Sequence, residues 1–365
     1  MVISRLDVHG VRNLQACSLS LARLNLFYGL NGSGKSSLLE AVHILGLGRS
    51  FRSTQARHYI QDGLSACTVH ARLEAGHALG IAKHGDGTHQ LRRNGSAVPQ
   101  LAEFAADLPV QLIHPDGMDL LDAGSRPRRQ LLDWLVFHVE HSFYGLWIRY
   151  QKALAQRNSL LKHSSGQEAE FQAWEDEMAR TAAVLDGMRR STLEAWRVHL
   201  DRVLPLLLPE IHVRMEYNAG FAVDRDLRDQ WRESRFRDRE RGHTQLGPHR
   251  ADVRLKSDLG LVDAVLSRGQ KKLLICALKL AQVAFLQDRG HRCVVLLDDL
   301  ASELDAGARQ RLLASLFDLQ AQVLMTAVDA EVLWPLLQLL DSQSRLFHVE
   351  QGKITAVCFT PEETS

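Results

Sequence analysis

Leu24–Leu39, LNLFYGLNGSGKSSLL, decides how this chain is read. An apolar run of Leu24, Leu26 and Phe27 ends in glycines and a lysine, and a second apolar segment follows. Gly29-x4-Gly34-Lys35-Ser36 has the full spacing of a phosphate-binding loop, set between a predicted strand and a predicted helix. Gly29, Gly32 and Gly34 let the backbone curl, so that the loop from Leu30 through Asn31 and Ser33 aims its N–H groups into one anion-sized nest. Lys35 places a charge for the β- and γ-phosphates of ATP, and Ser36 offers a hydroxyl to Mg2+. The positive end of the following helix adds to the attraction. A glycine-rich turn with an incidental lysine is the bland alternative, and the flanking pattern argues against it.

The 365 residues suffice for one large domain or two, and 45% hydrophobic with 24% charged content is ordinary for a globular protein. A net charge of +1 announces no global affinity for nucleic acid, so any such surface must be local. The five cysteines, Cys17, Cys67, Cys276, Cys293 and Cys358, are odd in number and form no C-x-x-C pair, which argues for a reducing compartment and against a zinc site. The N-terminus lacks a signal-peptide layout and no uncharged apolar run approaches membrane-spanning length; a cytoplasmic protein without a membrane partner is expected.

Upstream of the loop, residues 2–28 read as short strands. From Ser36 a helix is expected to about Leu45, with Gly46 and Gly48 stopping it. Arg49 and Arg52 follow at once, either to contact nucleotide or DNA phosphates or as a solvated turn. Residues 65–98 alternate apolar and polar residues between Gly85, Gly87 and Asn94-Gly95, as in an antiparallel meander. Val110–Ile113 reads as a buried strand.

At Gly124 the character changes. Leu132, Leu135, Val139, Phe143, Leu146, Tyr150 and Leu154 fall at helical spacing, Ser164-Ser165-Gly166 breaks the pattern, and Phe171–Leu207 resumes it. Residues 125–242 are therefore expected to form an inserted helical lobe between two halves of one α/β domain, 1–124 and 243–365. The lobe's aromatic residues, among them Trp134, Trp174 and Trp196, read as packing groups before base-stacking ones. Between Arg225 and Arg241 lie seven arginines and five acids, suiting either a solvated helix face or a phosphate-contacting surface.

Two further motifs decide the class. Ser267-Arg268-Gly269-Gln270 opens a nearly all-apolar helix; a serine there is a good cap, and the same N-terminus also suits an anion. Val294–Leu297 then reads as a buried parallel strand ending in Asp298 and Asp299, where one carboxylate can hold Mg2+ and the next can orient water. Ser302 and Asp305 follow within one turn.

The order loop, Ser-x-Gly-Gln, Asp-Asp resembles the ATP-binding-cassette ATPases, in which the signature serine and glycine of one subunit cap the nucleotide held by the other. Leu47-Gly48-Arg49-Ser50-Phe51-Arg52, Arg128-Arg129 with Leu132-Asp133-Trp134, Phe137-His138, Gln156-Arg157-Asn158 and Gly247-Pro248-His249-Arg250 bring it closer still to the RecF family of bacterial recombination and replication-repair ATPases. That resemblance spans nearly the whole chain and implies a phosphate-loop ATPase head with mixed sheets plus a helical lobe. It further implies ATP with Mg2+ on Ser36 and Asp298, water activation by Asp299, and Ser267, Gly269 and Gln270 acting across a homodimer, with Ser302 and Asp305 in the connecting loop. The expected function is ATP-switched binding to gapped DNA at single-/double-strand junctions, with slow DNA-stimulated hydrolysis and RecR and RecO as partners. Arg49, Arg52, Arg128 and Arg129 are the candidate DNA contacts.

The chain departs from related patterns in four places. Asp299 stands where transporter cassettes carry Glu; a carboxylate one methylene shorter lies farther from the water, so hydrolysis should be slow. Thr326-Ala327-Val328-Asp329 contains no switch histidine, and no glutamine marks the loop near His114. Ala251 replaces the first of two acids usual in the family, leaving Asp252. The ATPase subunit of a transporter is the main alternative, opposed by the missing histidine and glutamine. A chromosome-condensing ATPase would need a far longer coiled coil than residues 125–242, and a metabolic kinase would leave Ser267 idle.

Overall fold

The computed structural model describes residues 3–162, 168–299, 304–329 and 344–357. In chain order the first part holds β1 (Ile3–His9), β2 (Cys17–Ser20), β3 (Leu24–Tyr28), α1 (Lys35–Leu47), β4 (Ala66–Leu73), β5 (Ala78–His84), β6 (His89–Arg93), β7 (Ser96–Ala97), α2 (Leu101–Ala106) and β8 (Val110–Ile113). Next come α3 (Asp119–Asp122), α4 (Ser125–Val139), α5 (Phe143–Lys162), α6 (Glu168–Leu207), β9 (Val213–Asn218), α7 (Leu227–Arg241), β10 (Asp252–Ser257), β11 (Gly260–Leu261), α8 (Val262–Val265) and α9 (Arg268–Gln287). The last are β12 (Val294–Leu297), α10 (Ala306–Asp318), β13 (Gln322–Ala327), β14 (Ser344–Glu350) and β15 (Lys353–Val357).

Two compact units result, residues 1–117 with 272–365, and residues 118–271. The first is built on two six-stranded sheets. One is antiparallel in the order β2-β1-β4-β5-β6-β7; the other runs β15-β14-β3-β13-β12-β8 and is parallel except for β15. β4 shows why the meander forms: Cys67, Val69, Ala71 and Leu73 alternate inward while their neighbours face out. Asn94 and Gly95 both adopt positive φ, 51° and 82°, as a tight two-residue hairpin requires. α1 contacts both sheets and is buried nearly all round, as a central core helix must be. Gly48, at φ 65°, ends it and returns its N–H to Ile44 O. Gly46 does not stop the helix, contrary to expectation. It lies within the helix at a close approach to β8, where a Cβ would meet Val110 Cγ2 at 2.3 Å.

The second unit corrects two expectations. The apolar series from Leu132 to Leu154 belongs to two helices, because Glu140 turns extended (φ −116°, ψ 95°) after Val139. The expected break at 164–166 lies outside the described residues. The unit also carries a small sheet, β11-β10-β9, with β9 antiparallel to β10 from Val213↔Ser257 to Asn218↔Asp252. That pairing ties residues 243–271 to the helices, so the boundaries fall at 117/118 and 271/272 instead of 124/125 and 242/243.

Charge is buried inside this unit. The fully buried Arg157 guanidinium reaches Glu175 Oε1 at 2.9 Å, Asp238 Oδ2 at 2.8 Å and Thr244 Oγ1 at 2.7 Å. Arg235 of α7 joins it through Glu175 at 3.0 Å, and Arg225, Arg228 and Arg232 pair with Glu233, Asp226 and Asp229. Much of the charge-dense stretch is therefore neutralised locally. Trp196 and Trp231 are fully buried, in keeping with aromatic residues used for packing.

Candidate nucleotide site

The site grows from β3. Its last residue, Tyr28, hands the chain to Gly29 at φ 152°, where a Cβ would fall 2.1 Å from Val349 O; only glycine fits. Gly32 at φ 80° and Gly34 at φ 117° complete the curl, and α1 begins at Lys35. Lys35 Nζ lies inside the loop, donating to Gly29 O at 2.7 Å and Leu30 O at 3.1 Å. Asn13, in the turn after β1, braces the loop: Nδ2 donates to Gly32 O at 3.0 Å and Oδ1 accepts from Ser37 Oγ at 3.0 Å.

The parallel register brings the second motif alongside. β3 neighbours β13 and β13 neighbours β12, so the C-terminal end of β12 opens beside the loop. Ser36 Oγ donates to Asp298 Oδ1 at 2.9 Å, and Thr326 Oγ1 donates to the same oxygen at 2.9 Å. Thr326 Oγ1 also accepts the N–H of Asp299 at 2.9 Å. Burial raises the Asp298 carboxyl pKa, opposed by the hydrogen bonds from Thr326 and Ser36. Asp299 sits at φ 44°, a left-handed conformation costly for a non-glycine residue and held here by its neighbours.

A cleft of about 340 Å3 results, lined by Arg12, Asn13, Asn31, Gly32, Gly34, Lys35, Ser36, Ser37, Arg52 and Asp299. A phosphate chain fits this lining: a lysine and two arginines for charge, a glycine loop for backbone N–H donors, and one acid. The converging hydroxyl of Ser36 and carboxylate of Asp298 are hard oxygen donors of the sort Mg2+ takes alongside phosphate oxygens and water. Arg12 and Glu40 pair through both Arg12 Nε and NH2, and Ser50 Oγ also bonds Glu40, which is fully buried. Ser50 in turn accepts the N–H of Arg52 at 2.9 Å, so one buried acid fixes both arginine-bearing segments. Sequence reasoning found Arg52 but missed Arg12, Asn13 and Thr326. The turn at 10–13 and the threonine closing an apolar strand were the available signals.

The other expected residues divide. Arg49 is exposed beside α1, with its carbonyl bonded by His43 Nδ1 at 2.7 Å. Arg128 grips Asp252 with both carboxylate oxygens engaged, at 2.9 and 3.0 Å, and Arg129 donates to Ala251 O at 2.7 Å. These bonds give both arginines a structural role within their unit. Asp252 is accordingly the acid that anchors α4 to β10. At the signature, Ser267 and Gly269 are exposed at the start of α9 and Gln270 is half-buried. Ser302 lies outside the described residues, and Asp305 caps α10 by accepting the N–H of Ala308 at 2.8 Å.

Known proteins share this architecture. The family described as RecF/RecN/SMC N terminal domain matches residues 2–355. The DNA replication and repair protein RecF of Acinetobacter baylyi is 43% identical over 359 residues, covering 98% of this chain and 100% of that protein. The same-named protein of Pseudomonas fluorescens is 44% identical over 361 residues, covering 97% and 98%. The structure of the recombination mediator protein RecF-ATP in the RecFOR pathway has a TM-score of 0.85 at 24% identity, covering 98% of each chain. An SMC head bound to the C-winged helix domain of ScpA has a TM-score of 0.59 at 14% identity, covering 100% and 99%. These last two matches carry the fold. The sequence matches carry the descent: this chain belongs to the RecF family, within the wider group of RecF, RecN and SMC proteins.

Proposed function

We propose that this protein is an ATP-switched, DNA-binding member of the bacterial recombinational repair machinery. The carrying observation is the completed site at Lys35, Ser36 and Asp298 in a chain 43% identical to a DNA replication and repair protein over nearly its whole length. ATP would bind in the cleft with its terminal phosphates on the loop and Lys35; Ser36 and Asp298 would hold Mg2+, which would supply charge neutralisation there. Asp299 orients water, and its short side chain keeps hydrolysis slow. Ser267, Gly269 and Gln270 of a second copy close over the γ-phosphate, making a homodimer that holds gapped DNA until hydrolysis releases it. RecR and RecO are the proposed partners, because a solved RecF-ATP structure of the RecFOR pathway shares this fold. No helix among the described residues is long and apolar enough to cross a membrane. A transporter's ATPase subunit is set aside, since the relatives are named for DNA replication and repair.

The test is binding to a gapped duplex with ATP, with ADP and with neither, read beside light scattering for the dimer. ATP should tighten binding and double the mass; ADP should do neither. Lys35→Met should lose the ATP effect, roughly 2–4 kcal/mol of charge-assisted contact. Equal DNA binding in all three conditions would refute the switch.

A further inference from the structure

The turn Gly247–Asp252 is held from every side but one. Gly247, at φ 135°, leaves no room for a Cβ, which would meet the Tyr150 hydroxyl at 2.4 Å. Its N–H donates to Gly220 O at 3.0 Å, and Arg189, bidentate on Asp133, donates to Pro248 O at 2.8 Å. His249 is clamped between the Tyr150 hydroxyl at 2.7 Å and Thr244 O at 3.1 Å. Arg129 takes Ala251 O and Arg128 takes Asp252. Arg250 alone is turned outward: it is exposed, and among the described residues its side chain has no hydrogen bond or ion pair.

Its surroundings are cationic. Arg250 and Arg129 act on one another as like charges, and the acids nearest Arg129, Asp133 and Asp252, are already bidentate to Arg189 and Arg128. Concentrated positive charge with its local acids consumed is completed by an external anion. The backbone of a turn already fixed loses no further freedom on meeting a phosphate, which the guanidinium can grip with two donors.

We propose that Arg250 is a DNA-backbone contact, presented to a phosphodiester by a turn that Arg189, His249 and Arg129 hold rigid. This rests on the DNA-binding function proposed above and names a residue for it. A free nucleotide is the competing source of phosphate; the nucleotide cleft is lined by other residues, which favours the polymer.

The experiment titrates full-length protein with two gapped duplexes of unrelated sequence across a salt series, with fluorescent-ATP binding measured alongside. Arg250→Ala should weaken both duplexes by about three- to tenfold and make the log–log salt slope shallower by about 0.9, one phosphate contact, with ATP binding unchanged. Arg250→Lys should keep most of the slope. An unchanged slope in Arg250→Ala overturns the contact, as does weaker binding at the wild-type slope. Loss of ATP binding in step with DNA binding assigns the phosphate to nucleotide and overturns it too. Wild-type protein that binds neither duplex overturns the DNA-binding function itself and this contact with it.

Discussion

Ser267 and Gln270 cap one another: the Gln270 N–H donates to Ser267 Oγ at 3.3 Å, and the Ser267 N–H donates to Gln270 Oε1 at 2.9 Å. This reciprocal box at the start of α9 satisfies two of the donors a helix N-terminus leaves open. In the proposed dimer the same two side chains would meet a partner's γ-phosphate, so cap and trans contact would compete for one set of groups. Ser267→Ala should cost about 1 kcal/mol of stability as a lost cap. Ser267→Arg should in addition abolish ATP-dependent dimerisation, and mixing it with Lys35→Met should restore part of the ATPase activity through one intact composite site. A mixture as inactive as its components would leave the serine with the cap alone.

Thr326 stands where three chain segments meet, giving its proton to Asp298 and accepting one from the Asp299 backbone. Thr326→Val keeps the shape and removes both bonds, leaving a buried carboxylate short of a donor. Stability should fall by about 1–3 kcal/mol, and Mg2+-dependent ATP binding should weaken. Asp299→Asn, by contrast, should bind ATP normally and dissociate from DNA more slowly in its presence. Equal Mg2+ dependence in Thr326→Val and wild type would remove the threonine from the site.

Arg128 bonds Asp252, two residues beyond Arg250, yet the two arginines should behave in opposite ways. Removing Arg128 leaves the nearly buried Asp252 carboxylate with the longer Arg254 pair at 3.7 Å, so Arg128→Ala should lower the urea midpoint by the equivalent of about 2–4 kcal/mol. Its DNA-binding salt slope should match wild type where the protein remains folded. A shallower slope without loss of stability would restore Arg128 as a DNA contact.

Two buried imidazoles make stability depend on pH. Burial pushes the pKa of His43 and of His249 down to about 4. Carbonyl partners fix the tautomers: His43 Nδ1 donates to Arg49 O, and His249 Nε2 donates to Thr244 O while Nδ1 accepts from Tyr150. Below pH 6.5 the unfolded chain binds protons that the folded rings refuse. The stabilisation is present above that value and is lost as pH falls toward 4, by roughly 3 kcal/mol per ring at most. Urea midpoints should drop from pH 7.5 to pH 5, while proton NMR shows two rings still neutral near pH 5. If all seventeen histidines titrate near their usual value, the burial argument fails.

The legible parts of this protein are those whose chemistry is local. Gly29 to Ser36 sit within one turn of backbone, and the apolar run Val294–Leu297 can be only a buried strand, so loop, helix and acidic strand end were all visible. Thr326 was not, because its role exists only once Leu297 and Met325 lie in register across β12 and β13. The helix break at Glu140 carries neither glycine nor proline to announce it. β9 looks like the tail of a helical lobe until Val213–Asn218 finds β10, and the partners of Arg128 and Arg129 arrive with that same strand.

β3 lies between β13 and β14, so a strand made among the first thirty residues is flanked on both sides by strands made near the end. Ser36 meets Asp298 at a sequence separation of 262 residues. On the ribosome, the phosphate loop therefore emerges long before Asp298 and the strands that flank β3 exist to hold it in shape. Such distant pairings are slow to form, because chain closure precedes the contacts that reward it. The helical second unit, encoded between them and rich in near-neighbour contacts, is free to fold first. The nucleotide cleft is thus completed late in synthesis, and a chain interrupted before β14 leaves one edge of β3 bare.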